Sequence, residues 1–181
     1  MKSRFTILIV GLIAALSWWL LSTEQKKQST EVYDNHFIDV FINNFTITST
    51  DRSGEITYTL HADRLEHYND EEHSQIINPS IRFPQNDNRW LINAEFGEID
   101  NQQSFITLRD NVTMKQIESD EIFIITTQAM TIDTKSKIIK SDQEVNIQNG
   151  SLKLKSNGIH FDNQQQQLKL LSNVSGIYAP R

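Results

Sequence analysis

The chain contains no cysteine, so neither a disulfide framework nor thiolate metal ligands can hold it together. Proline is scarce: Pro79, Pro84 and Pro180 are the only three, so few strands need be interrupted. Positive charge is in deficit. The formal net charge is −6, which argues against nucleic acid, whose phosphates need a basic surface. Catalytic signatures are missing too, with no phosphate loop, no Gly-x-Ser-x-Gly and no Cys/His nucleophile pair. Paired carboxylates are plentiful but fall on turns and solvent faces, so no catalysis is assigned. What the 181 residues do have is Ile, Thr, Asn and Gln, a strand-forming composition sized for one domain plus tails.

The N-terminus stands apart. "FTILIVGLIAALSWWLL" (Phe5–Leu21) carries no charge and follows Lys2 and Arg4. At about 1.5 Å per residue a helix of this length reaches roughly 25 Å, within the range of membrane spans. Trp18 and Trp19 fall near its far end, where amphipathic rings favour the headgroup level. Ala15-Leu16-Ser17 resembles a signal-peptide cleavage site, but the apolar run continues through it, which favours an uncleaved anchor. The expected organisation is residues 1–4 cytoplasmic, 5–22 transmembrane, 23–35 a polar linker and 36–181 the folded domain outside the cytoplasm. The charge bias that sets this orientation is mild, because Lys26 and Lys27 follow the span.

From about His36 the hydrophobic period is two. Ile56, Tyr58, Leu60 and Ala62 alternate with Glu55, Thr57, Thr59 and His61, and Leu168, Leu170, Val174 and Tyr178 share one parity further on. Residues two apart lie on one face of a strand, so each run buries one side and wets the other. Turn formers separate the runs at Asp51–Gly54, Asn69–Glu72, Asn86–Asn88, Asp133–Ser136 and Asp162–Gln165. Asn149-Gly150 is the strongest two-residue hairpin signal. No segment after residue 36 reads as an amphipathic helix. The fold class is all-β.

The runs also repeat. "IDNQQSFITLRDNVTM" (Ile99–Met114) is echoed by "FDNQQQQLKLLSNVSG" (Phe161–Gly176). Asp100, Asp133 and Asp162 each precede a turn, and each lies twelve residues before a valine, Val112, Val145 or Val174. A looser copy uses Tyr68 and Ile81, and Ala62 and Ala94 hold matching places. About four units of strand, turn, strand, turn cover Tyr58–Tyr178. One unit cannot cover its apolar face alone, whereas stacked units make a continuous one.

"DRSGEITYTLHADRLEHY" (Asp51–Tyr68) carries Gly54, Tyr58, Leu60, Ala62, Leu65, His67 and Tyr68 in the pattern Gly, Tyr-x-Leu-x-Ala, Leu-x-His-Tyr. That pattern resembles the LptC family, the bitopic inner-membrane subunit of the lipopolysaccharide export bridge. "WLINAEFGEIDNQQSFITLRDNVTM" (Trp90–Met114) is similar to the next block of LptC and of the related periplasmic protein LptA. The third unit departs most, with Ser141 and Asp142 where many such repeats place a glycine turn. The resemblance implies a periplasmic β-jellyroll of two facing antiparallel sheets, open along one side, with lipopolysaccharide acyl chains passing between them. It implies pairing with LptA at the C-terminal edge. At the N-terminal edge and the anchor it implies contact with the inner-membrane ABC transporter subunits LptB, LptF and LptG. No cofactor is implied. The expected location is the inner membrane, single-pass, with the bulk of the chain in the periplasm.

An acyl tail needs a continuous apolar lining without fixed polar contacts. Tyr58, Leu60, Ala62, Ile92, Ala94, Phe96, Ile106, Leu108, Ile132, Val145, Leu154, Phe161, Leu170 and Val174 are the expected lining, although a closed core would write the same pattern. The final run ends close to the C-terminus, which leaves Asn173, Val174, Ser175, Gly176, Ile177, Tyr178 and Ala179 as an uncovered strand and the expected docking edge. "HFIDVFINNFTITST" (His36–Thr50) has apolar residues of both parities, as a strand in contact with a partner would. His61, His67 and His73 could share a face, but turn formers interrupt the strand and solvated side chains are the better reading. The four sequons, from Asn44-Phe45-Thr46 to Asn173-Val174-Ser175, suit a chance origin in an Asn/Thr-rich chain. Two rivals to a lipid carrier remain: a membrane-anchored β-scaffold or adhesion module with a dry interior, and an enzyme acting on an envelope polymer.

Overall fold

A computed structural model describes Trp18 and residues 37–69, 71–84, 89–100, 102, 104–117 and 123–179. The chain divides into two units, Met1–Asn35 and His36–Arg181. The expected anchor and linker lie outside the described residues apart from Trp18, as does the turn at Asn86–Asn88. Among the described residues no helix is long and apolar enough to cross a membrane.

The second unit is built from strands: β1 (Ile38–Thr50), β2 (Ile56–Tyr68), β3 (His73–Ile77), β4 (Ser80–Phe83), β5 (Arg89–Asn93), β6 (Phe96–Asp100), β7 (Phe105–Ile117), β8 (Phe123–Asp133), β9 (Ile138–Asn149), β10 (Leu152–Asp162) and β11 (Gln167–Tyr178). All pairings are antiparallel. The sheet runs β11, β10, β9, β8, β7 and then forks. One branch, β5 and β4, joins the second half of β7 to the first half of β2. The other, β6 and β3, joins the first half of β7 to the second half of β2. β1 pairs along β2 and completes the sheet.

The line between the branches is a fold line that every long strand crosses. Each therefore gives one half to a first leaf, with β4 and β5, and the other half to a second leaf, with β3 and β6. In β1, β7, β10 and β11, and between β3 and β4, the chain passes this line through backbone conformations that most side chains avoid. Here Asn44 (φ 47°), Asn78 (52°), Asp110 (62°), Asn111 (52°), Gly158 (88°) and Asn173 (48°) take them. Asn, Asp and Gly enter the left-handed region at the lowest cost. Backbone groups freed along the line find partners there: Asn78 N–H donates to Glu95 O (2.8 Å) and Glu95 N–H to Asp110 O (3.0 Å). Buried hydroxyls do the rest, with Thr127 Oγ1 donating to Glu144 O at 2.9 Å and Ser156 Oγ lying 2.9 Å from Gly158 O.

The twelve-residue spacing now has a cause. Asp51, Asp100, Asp133 and Asp162 each place Oδ1 on two backbone N–H groups of the following turn, those of Ser53 and Glu55, Ser104 and Phe105, Lys135 and Ser136, Gln164 and Gln165. The carboxylate thus stands in for a backbone carbonyl and fixes the hairpin. Bonding to the charged form holds Asp133 below the ordinary carboxylate range, chiefly through the Ser136 N–H, and does the same for Asp51, chiefly through the Ser53 hydroxyl. After the turn the strand reaches the fold line and bulges. In the pairings among β7 to β11 the extra residue of each bulge falls in β7, β9 or β11, never in β8 or β10. Val112 and Val145 are the first inward residues beyond it, and both are fully buried.

One detail differs from the sequence reading. Asn149 pairs with Leu152, so the hairpin loop is Gly150-Ser151 rather than Asn149-Gly150, with glycine's positive φ at the first loop position as a type II′ turn requires. Ser141 and Asp142, the departure noted above, lie inside β9 at its bulge, and the turn of that unit follows Asp133, where the turn formers Asp133–Ser136 put it.

Replacing Asn111 tests the bend. Asn111→Gly should stay within about 1 kcal/mol of the parent in urea unfolding. Asn111→Val should lose about 2 kcal/mol, because a β-branched residue resists positive φ. Equal stability of the two variants would contradict the account.

Candidate functional site

The space between the leaves is lined by one side of each strand half. Of the expected lining residues, Tyr58, Leu60, Ala62, Ile92, Ile106, Leu108, Ile132, Val145 and Phe161 are buried there, and Ala94, Leu154 and Leu170 pack against them partly covered. Ile76, Ile81, Met114, Ile125, Met130 and Ile139 are buried there too. They were not among the expected lining residues, although Met114 and Ile139 share the parity of residues that were. The residues near the fold line fill the interior with their own side chains, so the expected unsealed trough is closed along the spine. Apolar leaves attract one another for the same reason a tail would enter, since each buried methylene contributes about 0.8 kcal/mol.

Two expected lining residues lie elsewhere. Phe96 is 46% exposed; it shares the outer face with Arg109, its partner across the ladder, while Gly97 and Ile99 turn inward. Parity carried from Ile92 through Ala94 to Phe96 fails because the fold line lies between them. Val174 is 53% exposed for a different reason. It faces the same side as Gly176, where an added Cβ would lie 2.6 Å from Leu154 Cδ2. It is thus an inner-face residue on the last strand, with no further strand among the described residues to cover it.

At the rim away from the fold line the leaves are clasped. Trp90 of the first leaf meets Phe161 of the second with ring centroids 5.2 Å apart, and meets Phe123 edge-on at 5.7 Å. Trp90 Nε1–H donates to Gln166 Oε1 at 3.3 Å. The Gln166 amide is held in turn by Asn163, to whose backbone O (2.6 Å) and Oδ1 (3.0 Å) its Nε2 donates. Beside the clasp opens a cavity of about 220 Å³ lined by Trp90, Gln116, Phe123, Ile125, Phe161, Gln166 and Leu168. Aromatic pairs contribute about 0.5–1.5 kcal/mol beyond their area, and a neutral hydrogen bond about 1 kcal/mol. The sequence offered no signal for this contact, whose partners are 76 residues apart.

Both outer strands are open. Among the described residues β11 pairs only with β10, and residues 171–179, its second half and the residue after it, are exposed. Asn173, Val174, Ser175, Gly176, Ile177 and Tyr178 leave their outer ladder unpaired, while Ala179 N–H closes back on Ser151 O at 3.3 Å. At the other end, among the described residues β1 pairs only with β2, and Phe37, Ile38, Val40, Phe41 and Ile42 are exposed. The three histidines go separate ways: His61 to Thr46, His67 to Ser74 and His73 to Glu71.

This folded-over β-jellyroll is similar to that of LptH from Pseudomonas aeruginosa, the LptA-homologous periplasmic component of the conserved lipopolysaccharide transport device. The TM-score is 0.52 at 8% identity, covering 68% of this chain and 95% of LptH. The class is therefore an all-β, LptA-like jellyroll. No curated protein sequence matches the chain. The LptC family, described as "Lipopolysaccharide-assembly, LptC-related", matches residues 6–179, and the chain belongs to it. Its members serve the lipopolysaccharide transport bridge and are not enzymes.

The repeat places Val174 where Val112 and Val145 stand in their strands, so truncation separates covered from uncovered positions. Val145→Ala should cost roughly 2 kcal/mol in urea unfolding, whereas Val174→Ala should change stability by less than about 0.5 kcal/mol. A comparable loss at Val174 would show that its side chain is already covered.

Proposed function

We propose that this chain receives lipopolysaccharide extracted from the inner membrane by an ABC transporter and passes it to LptA. The acyl tails lie between the leaves, against Tyr58, Leu60, Ala62, Ile92, Ala94, Ile106, Leu108, Ile132, Val145, Leu154, Phe161 and Leu170. The observation that carries this reading is the continuous apolar interior between the two leaves, in a member of the LptC family. Phe5–Leu21 anchors the chain in the inner membrane and residues 36–181 stand in the periplasm. The sugar–phosphate headgroup stays in water outside the leaves, which is how a chain of net charge −6 handles an anionic glycolipid. A photocrosslinker at Phe161 or Leu108 should trap lipopolysaccharide, and one at outward Thr107 should not. Equal labelling at both kinds of position would remove the case for tails between the leaves.

The docking assignments follow from the open strands. β11, from Asn173 to Ala179, pairs with a strand of LptA, which would cover Val174 as Val112 and Val145 are covered. β1 and the anchor meet the transporter subunits LptB, LptF and LptG. Deleting residues 173–181 should abolish LptA capture while leaving the circular dichroism of the jellyroll intact. Retained capture would overturn the assignment.

The packed interior favours a second reading, a membrane-anchored β-scaffold without lipid transfer. Failure of lipopolysaccharide to displace a fluorescent fatty acid from the protein would support it.

A further inference from the structure

The rim clasp goes beyond the docking and lining roles, and its meaning rests on the carrier reading above. The cavity beside it, at about 220 Å³, is smaller than the roughly 300–1,000 Å³ of sites that enclose a drug-sized ligand. A full acyl chain cannot lodge there unless the leaves part. Ile125 and Leu168, one from each leaf, line that cavity together with the clasp residues Trp90, Phe161 and Gln166. A tail that widens this cavity between the leaves would displace the contact of Trp90 with Phe161 and Gln166.

We propose that Trp90, Phe161 and Gln166 form a reversible latch over a lateral opening for acyl chains, and that an inserted tail takes the place of Phe161 against the Trp90 indole. Three features suit this role better than that of ordinary core. The contact joins the two leaves at the end away from the fold line, through side chains rather than a shared strand. The acceptor is set in place: Gln166 sits at φ 52° and its amide is fixed by Asn163, which is itself buried and tied through its N–H to Lys137 O at 3.1 Å. Opening is also cheap in polar terms. A Trp N–H released at a rim can bond water, whereas one released in the interior would be stranded.

The chain has no cysteine, so a pair introduced at Gln116 and Gln166, which line the cavity from opposite leaves, can be bridged selectively. The full chain in nanodiscs carrying Gln116→Cys and Gln166→Cys would be joined with a reducible bis-thiosulfonate reagent and titrated with purified lipopolysaccharide. A second variant, Gln166→Met, keeps the side-chain length and removes the acceptor. The latch predicts that bridging lowers binding at least 10-fold, that reduction restores it, and that Gln166→Met tightens binding about 3-fold or more. Bridged protein binding as well as reduced protein would overturn the latch while leaving the carrier reading in place. Absence of lipopolysaccharide binding by the unmodified chain would overturn the carrier reading and the latch with it.

Discussion

Attraction between two apolar sheet faces is the interaction on which everything else depends. A half-buried sheet must cover its greasy side, and this one does so by folding onto itself rather than by recruiting helices. The fold line makes that possible. Without left-handed Asn and Asp residues in β1 and β7, and Gly158 in β10, the long strands would run straight and leave one wide apolar surface facing water.

The same attraction explains why interior and function are coupled. Hydrophobic contact is non-directional, so a methylene of an acyl chain can replace a methyl of isoleucine against the opposite wall with little change in free energy. What distinguishes the two ends of the interior is therefore not chemistry but constraint. Near the fold line the walls are joined by the backbone, and Leu60, Ile92 and Leu108 pack with almost no exposure. At the rim the described contacts between them are those of side chains, Trp90 with Phe161 and Gln166, and polar Gln116 and Gln166 join the lining.

Much of this was legible in the chain. Period-two alternation gave the strands, and the Asp-to-Val spacing gave the repeating unit before its cause was known. Asn111 and Asn173 were visible as part of the echo, yet their role was not, because strands disfavour Asn only on average. A mid-strand Asn amid alternating apolar residues was in fact the available signal for the bends of β1, β7 and β11. Parity failed at Phe96 for the same reason: it cannot be carried across a bend whose place is unknown. The Trp90–Gln166 contact was beyond reach, since no local pattern links residues brought together only by folding the sheet over. The family resemblance, by contrast, rested on the order and spacing of whole blocks, and the match across residues 6–179 bears it out.

The central claim is that the walls separate at the rim to admit tails. Spin labels on cysteines introduced singly into each leaf, at Gln116 and at Gln164, would report that separation in the full chain by pulsed electron resonance. The account predicts a longer and broader distance distribution when lipopolysaccharide is added. A distribution unchanged at saturating lipopolysaccharide would contradict it.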